Sequence, residues 1–270
     1  MIGILAAIGA AFSWTCACSI WRAQTKIFNA LQINSIKNLI AVFIFSPILF
    51  SLNWFSHLRE ISILFVSGFI GITVGDSLYI EALKRLGTRK TLSIEALSPI
   101  MANILGTVLI GEILPLKVWV GTSIVTCSLI GITRQGLNAR QNELSFKNGF
   151  KSGICYAFLS VSCAVLAAIL SRIIFKTSNL SPFQTTEIRL CGSLIFLLPI
   201  SRINLSYLLN EVTLENKLKL FFSSLLGTNV GILLQQTVFQ LLPIGIGWTL
   251  LSTSPLFSLL FAKAEGEKIN

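Results

Sequence analysis

The chain has 270 residues, of which 53% are hydrophobic and only 12% charged. Soluble domains carry about 25% charged residues, so this composition excludes a globule that covers itself in water, and the mean hydropathy of +0.79 agrees. The net charge of +10 does not indicate a nucleic-acid partner, because the Lys and Arg residues sit at the ends of apolar runs and in the loops between them.

A helix that crosses a bilayer needs roughly 20 mostly apolar residues. Such runs recur in chain order at 2–21, 36–55, 61–83, 91–111, 115–133, 150–171, 182–200, 218–240 and 243–262. They are long and unbroken, unlike the short alternating segments of a strand barrel, so the fold class is an all-α membrane protein of about nine transmembrane helices. The first run has no basic residue before it; Arg22 and Lys26 come after it. That order fits a retained helix rather than a cleaved signal. With Lys117, Lys151 and Lys219 at span edges counted in the adjoining loops, loops one, three, five and seven with the tail Lys263–Asn270 hold 15 of the 21 basic residues, against 4 in the alternate loops. The positive-inside rule then places the N-terminus outside and the tail in the cytoplasm.

An internal repeat organises these spans. Gly71–Gly75 (Gly-Ile-Thr-Val-Gly) matches 227–231 (Gly-Thr-Asn-Val-Gly), and 156 residues separate Ser98-Pro99 from Ser254-Pro255. Gly111-Glu112 recurs as Gly266-Glu267, Pro47 as Pro199, Lys37 as Arg189, and Ala11-Phe12 as Ala157-Phe158. The offset grows steadily along the chain, as duplication of one module gives. Residues 1–133 form a first repeat of five spans, 134–148 a connecting loop, and 149–270 a second repeat that stops after its fourth span. Five is odd, so the second copy enters the membrane from the other side. The fold is therefore two five-helix inverted repeats, the second truncated, with a solute site near mid-membrane between them.

Gly75-Asp76-Ser77-Leu78-Tyr79, Ala82-Leu83, Leu97-Ser98-Pro99 and Leu109-Ile110-Gly111-Glu112 resemble the EamA-type module of the drug/metabolite transporter superfamily. The second copy is similar through Gly231, Ser254-Pro255 and Gly266-Glu267. The resemblance covers nearly the whole chain. It implies ten helices in two halves, a central cavity, and export or exchange of metabolites such as amino acids, nucleotides or drugs. It also implies cytoplasmic termini, against the charge count, and a tenth helix after Asn270. Without that helix the chain is expected to be a homo-oligomer or deficient in transport.

Ionisable groups inside spans are expensive and mark functional sites by default. Asp76, one residue beyond Gly75, is a candidate proton acceptor. Glu95, Ser98, Pro99 and Asn103 share one face of span four, with Ser252 and Pro255 on the matching face of span nine. Pro99 removes the donor to the Glu95 carbonyl, leaving an acceptor for a ligand. Trp14 and Trp248 lie within spans and are placed to stack on a solute or to pack the core. Lys37 and Arg189 suit an anionic solute or reach out to headgroups. Glu81, followed by Lys84 and Arg85, is expected in a salt bridge at the interface. The six cysteines lack metal-ligand spacing, and the one histidine, His57, lies in a loop. No soluble catalytic motif and no nucleotide-binding loop is present. The reading is a non-enzymatic secondary transporter of small organic solutes with no cofactor or metal, driven by a proton or exchange gradient, in the plasma (inner) membrane. The rivals are an accessory or transport-deficient subunit and a membrane-embedded hydrolase.

Overall fold

The structure, a computed structural model, describes residues 1–137, 147–203 and 205–262, with side chains except at 129–148, 204, 205, 207, 209 and 259–262. The centre of the expected connecting loop, the tail Lys263–Asn270 and the second Gly-Glu pair lie outside the described residues.

Lipid offers no partner to a backbone N–H or C=O, so each crossing segment satisfies them internally as a helix. Nine rods carry this out among the described residues. The first is α1 (Ile2–Gln24), whose 23 residues extend about 35 Å, enough for a hydrocarbon core of about 30 Å. The second is α2 (Ala30–Phe45), continued by a 3-10 turn at Ser46–Ser51 where Pro47 removes a donor. The third joins α3 (Leu58–Gly68) to α4 (Ser77–Leu86) through a π-helical stretch, Phe69–Asp76. The fourth comprises α5 (Thr88–Glu95) and α6 (Ser98–Ile110). Then come α7 (Leu116–Leu137), α8 (Lys147–Thr177) and α9 (Pro182–Ser201). A short α10 (Leu205–Asn210) lies outside the rods. The eighth rod joins α11 (Leu214–Ser223) to α12 (Gly231–Leu241) through a second π-helical stretch, Ser224–Val230. The ninth is α13 (Ile244–Leu251) with α14 (Ser254–Ala262). The nine rods coincide with the nine expected spans, with ends displaced by a few residues: the second and fourth begin earlier, at Ala30 and Thr88.

Six rods are apolar and long enough to cross by composition alone. The seventh, α9, owes its lower hydropathy to Gln184, Glu187 and Arg189, and the last two are buried with Thr185 and Thr186 in the middle of the bundle. Beside its apolar clusters the interior holds many polar side chains: Asn34, Ser35, Lys37, Asn38, Ser193 and Gln236 are all without solvent contact. Phe43, Val108, Ile124 and Ile195 face outward instead. This is the inside-out distribution that a lipid solvent demands.

Matched positions of the sequence repeat adopt matched local structures. Rods two and seven both begin on a capping box, Asn29 with Gln32 and Ser181 with Gln184, each side chain accepting from the other's backbone N–H. The two Gly-containing stretches are the two π-helical segments. The fourth and ninth rods both break just before Ser98-Pro99 and Ser254-Pro255. Packing pairs the copies crosswise: α1 lies against α12 and its π-helical neighbour, as α8 lies against α4 and the other π-helical segment, while α2 meets α9 directly. Close approach needs small residues. At Gly192 of α9 an added methyl would sit 2.7 Å from the Phe65 Cα of α3, so only glycine allows that crossing.

Candidate functional site

A π turn leaves backbone carbonyls displaced from the helical ladder and tends to occur at functional positions. In the third rod Asn34 of α2 takes up two of them. Its Nδ2 donates to the Ile72 carbonyl at 2.7 Å and to Ser77 Oγ at 2.8 Å, with Thr73 O at 3.4 Å. Asn38, one turn on, donates to the Asn34 carbonyl and side-chain oxygen at 2.8 and 2.9 Å. Lys37 lies between these residues and reaches the end of the same π-helical stretch. Its Nζ is 2.5 Å from Asp76 Oδ2, with the lysine side chain wholly buried and Asp76 15% exposed. The Trp21 ring lies 5.1 Å from the ammonium. Lys37 therefore does not extend to the headgroups; a carboxylate on the next rod satisfies it in the interior.

Glu95 ends α5. Tyr79 donates its hydroxyl to Glu95 Oε2 at 3.2 Å, and Tyr79 packs against Trp14. Among the described residues no lysine or arginine forms an ion pair with Glu95. The Glu95 carbonyl is not left open for a ligand as expected from Pro99: Ser98 Oγ donates to it at 2.6 Å. The helix restarts there with Pro99 in the first turn of α6, where its missing donor costs nothing. Ser98 Oγ also meets Ser252 Oγ at 3.2 Å, so the two rod breaks touch. Thr15 donates to the Ser254 carbonyl at 3.1 Å and fastens α1 to the second break.

Arg189 projects from α9 beside Gly71. A methyl at Gly71 would stand 3.1 Å from Arg189 Nη2 and 2.6 Å from the Ala167 Cβ, so this glycine makes room for both the guanidinium and α8. Arg189 is 4% exposed, and its Nε and Nη1 have no hydrogen-bond partner. The Nε1 of Trp248 is likewise buried without one. Such groups are rare in a folded interior and call for an explanation.

These side chains converge on a cavity of about 60 Å³, lined by Ala10, Trp14, Gly71, Asp76, Tyr79, Glu95, Ser98, Ser160, Arg189, Gly231, Ile232, Gln235, Trp248, Leu251 and Ser254 among others. The space suits a few water molecules rather than an organic solute, so this is a closed form. Of the sequence candidates, Asp76, Glu95, Ser98, Trp14, Trp248 and Arg189 line it. Ser252, Pro99, Pro255, Asn103 and Lys37 do not. Ser252 makes the contact between the breaks, Pro99 and Pro255 are buried at the starts of α6 and α14, and Asn103 turns away to donate to Thr122 at 3.1 Å. Glu81 forms its expected ion pair, with Arg85 at 2.7 Å. Tyr79 and Gln235 escaped the sequence reading. Each lies three residues beyond a lining residue, Asp76 and Ile232, on the same helical face, which is the signal that could have found them.

The repeat offset exposes an asymmetry. Asp76 corresponds to Ile232, Glu95 to Leu251 and Lys37 to Arg189. Lys37 has a direct acidic partner, whereas Arg189 forms no ion pair among the described residues and feels the Asp76 charge only at longer range. Asp76 thus serves Lys37 by a direct ion pair and Arg189 by its charge alone, while among the described residues no cation pairs with Glu95.

Membrane-crossing helices around a closed, charged central cavity are the architecture of a solute carrier. The chain belongs to the EamA-like transporter family, whose model matches residues 1–134 and 151–270. It is thus a multi-pass integral membrane protein of the drug/metabolite transporter type. No curated protein matches it. Of the solved structures, 21 chains match. One crystal structure aligns with 99% of this chain and 89% of its own at a TM-score of 0.69 and 16% identity, a likeness that shows the fold alone.

Proposed function

We propose that this protein is a secondary transporter of small dipolar organic solutes, which carry an anionic group to Arg189 and a cationic group to Glu95. Two inverted repeats, residues 1–133 and 149–270, rock about the cavity between them, as the matched capping boxes, π-helical segments and rod breaks support. One observation carries the reading: Arg189 is buried in a cavity wall with two nitrogens unpartnered. A buried charge without a partner is costly and persists where a ligand supplies the missing group. A carboxylate or phosphate offers the paired acceptors that a guanidinium fork recognises. Glu95 then accepts an ammonium or, when the cavity is empty, a proton from the driving gradient. Trp14 and Trp248 supply aromatic faces for the carbon skeleton, and Trp248 a free N–H.

The basic loops bear on orientation. Arg22 lies against Gly87 of loop three, so loops one and three share a face. The opposite face carries the N-terminus, where Gly3 packs on Leu242. The charge bias of the loops points that N-terminal face away from the cytoplasm of a plasma (inner) membrane.

Binding tests the reading. The purified protein is titrated with a panel of small compounds: zwitterionic, solely anionic, solely cationic and uncharged, with tryptophan fluorescence as readout. Dipolar members should bind at least about tenfold more tightly than members lacking either charge, the value of one charge-assisted hydrogen bond. Equal binding of dipolar and uncharged compounds by the parent protein, or equal binding of dipolar compounds by the parent and by Arg189→Gln, would overturn it.

A further inference from the structure

At the face that carries the N-terminus, two side chains, Glu112 and Arg172, join four helix ends. Gly111, with φ of 67°, ends α6 in the left-handed conformation and turns the chain so that Glu112 is buried. Glu112 Oε1 accepts from Arg172 Nε at 2.9 Å and lies 3.3 Å from Lys176 Nζ. Its Oε2 accepts from the backbone N–H of Ile244, the first residue of α13, at 2.8 Å. Arg172 continues the chain of bonds: Nη1 donates to the carbonyls of Phe239 and Gln240 at 2.7 and 2.8 Å. Those carbonyls belong to the last turn of α12, where no helical N–H can reach them. One carboxylate and one guanidinium thus tie the ends of α6, α8 and α12 to the start of α13.

Directly beneath, Ile244, Val238 and Phe239 pack with Ala6 and Ala168 onto Trp248, whose indole borders the cavity. This apolar cluster lies between the cavity at Trp248 and the start of α13 at Ile244. All the bonds above it run between rods. For α13 to move away from α8, the Ile244–Glu112 bond or the Glu112–Arg172 bond must break, and the groups released at this end of the bundle would then meet water rather than an apolar interior. A tie that is strong when dry and cheap to open when wet can act repeatedly.

We propose that the Glu112–Arg172 pair is the latch that holds the N-terminal face shut in the closed form, and that its release admits solute from that side. The proposal rests on the transporter reading, but its test needs no solute. Burial by itself would raise the Glu112 carboxyl; the bonds from Arg172 and Ile244 and the charges of Arg172 and Lys176 bring it below its ordinary value of 4.5. The latch therefore stays charged at neutral pH.

The test uses full-length protein in sealed vesicles, with Ala10→Cys as a reporter in the cavity wall. A membrane-impermeant thiol reagent is applied from the N-terminal face, and labelling of the chain without the reporter is subtracted. In Glu112→Gln, which keeps an acceptor for Ile244 but loses the charge that holds Arg172, labelling should accelerate at least about tenfold, the shift that loss of one charge-assisted bond produces. Arg172→Lys, which cannot hold Glu112 and the α12 carbonyls together, should give a smaller rise. Lys176→Gln leaves both main bonds intact and should label at the parental rate. The proposal is overturned if folded Glu112→Gln or Arg172→Lys labels at the parental rate. It is also overturned if Lys176→Gln matches Glu112→Gln, or if labelling from the opposite face rises equally. Accelerated labelling in a protein that carries no solute would leave the latch standing and sink the transporter reading instead.

Discussion

Asp76→Leu isolates the interaction that the interior of this bundle depends on most. Lys37 is wholly buried, its ammonium 2.5 Å from Asp76 Oδ2, and the Trp21 ring lies 5.1 Å away as a second electrostatic partner. Removing one member of a buried ion pair costs about 3–5 kcal/mol, because the other charge stays buried without compensation. The indole face returns about 1–2 kcal/mol of that. The expected loss is therefore about 3 kcal/mol. Lys37→Met alone should destabilise less, since Asp76 stays under the Arg189 charge in the polar cavity wall. The double variant should recover most of the loss, because an apolar pair of similar volume needs no compensation. Equilibrium unfolding in mixed micelles, followed by tryptophan fluorescence, gives all four corners of the cycle, and the coupling between the two substitutions measures the pair directly. If Asp76→Leu lies within about 1 kcal/mol of the parent, or the double variant is no more stable than the single ones, the pair does not hold the rods as described.

Arg189→Met should raise stability by about 1–3 kcal/mol in the same titration, since it removes buried donors that have no partner, while abolishing solute binding; a destabilised variant would contradict the unpartnered site. Gly71→Ala should cost about 2 kcal/mol, since its methyl would stand 2.6 Å from Ala167 Cβ, and should weaken solute binding by displacing Arg189. Gly121→Ala, with nothing within 4 Å of the added methyl, should change neither. The Glu112 contribution follows the sign of a depressed carboxylate: fully present above the unfolded value of 4.5 and lost as pH falls through the lower folded value. Stability of the parent should therefore drop more steeply below pH 4.5 than that of Glu112→Gln, and parallel acid curves for the two would refute the assignment.

The number and order of rods were legible because a lipid solvent leaves one solution to the backbone, and nine apolar runs state it. The rod breaks were legible too, since Ser98-Pro99 and Ser254-Pro255 announce themselves by proline chemistry. What the breaks do was not: Ser98 caps the Glu95 carbonyl, a choice that depends on one hydroxyl rotamer. The partner of Lys37 was out of reach because Asp76 lies 39 residues away on a different rod, and no periodicity links two helices across a bundle. Asn103 was misjudged for the opposite reason. It shares the helical face of Ser98 in sequence, but one further turn carries it past the cavity toward Thr122. Helical phase is read easily, whereas the depth at which a cavity ends is set by packing. The latch was half visible: Gly111-Glu112 stood out as a repeated pair, but its partners lie on α8, α12 and α13.

The account turns on whether Arg189 receives an anionic group in a working carrier. Purified protein in proteoliposomes loaded with an unlabelled dipolar solute is exposed to the same solute in labelled form, and counterflow is recorded for the parent, Arg189→Lys and Arg189→Met. The account predicts counterflow by the parent, counterflow reduced at least about tenfold by Arg189→Lys, which keeps the charge but loses the fork, and none by Arg189→Met. Undiminished counterflow by Arg189→Met would contradict it.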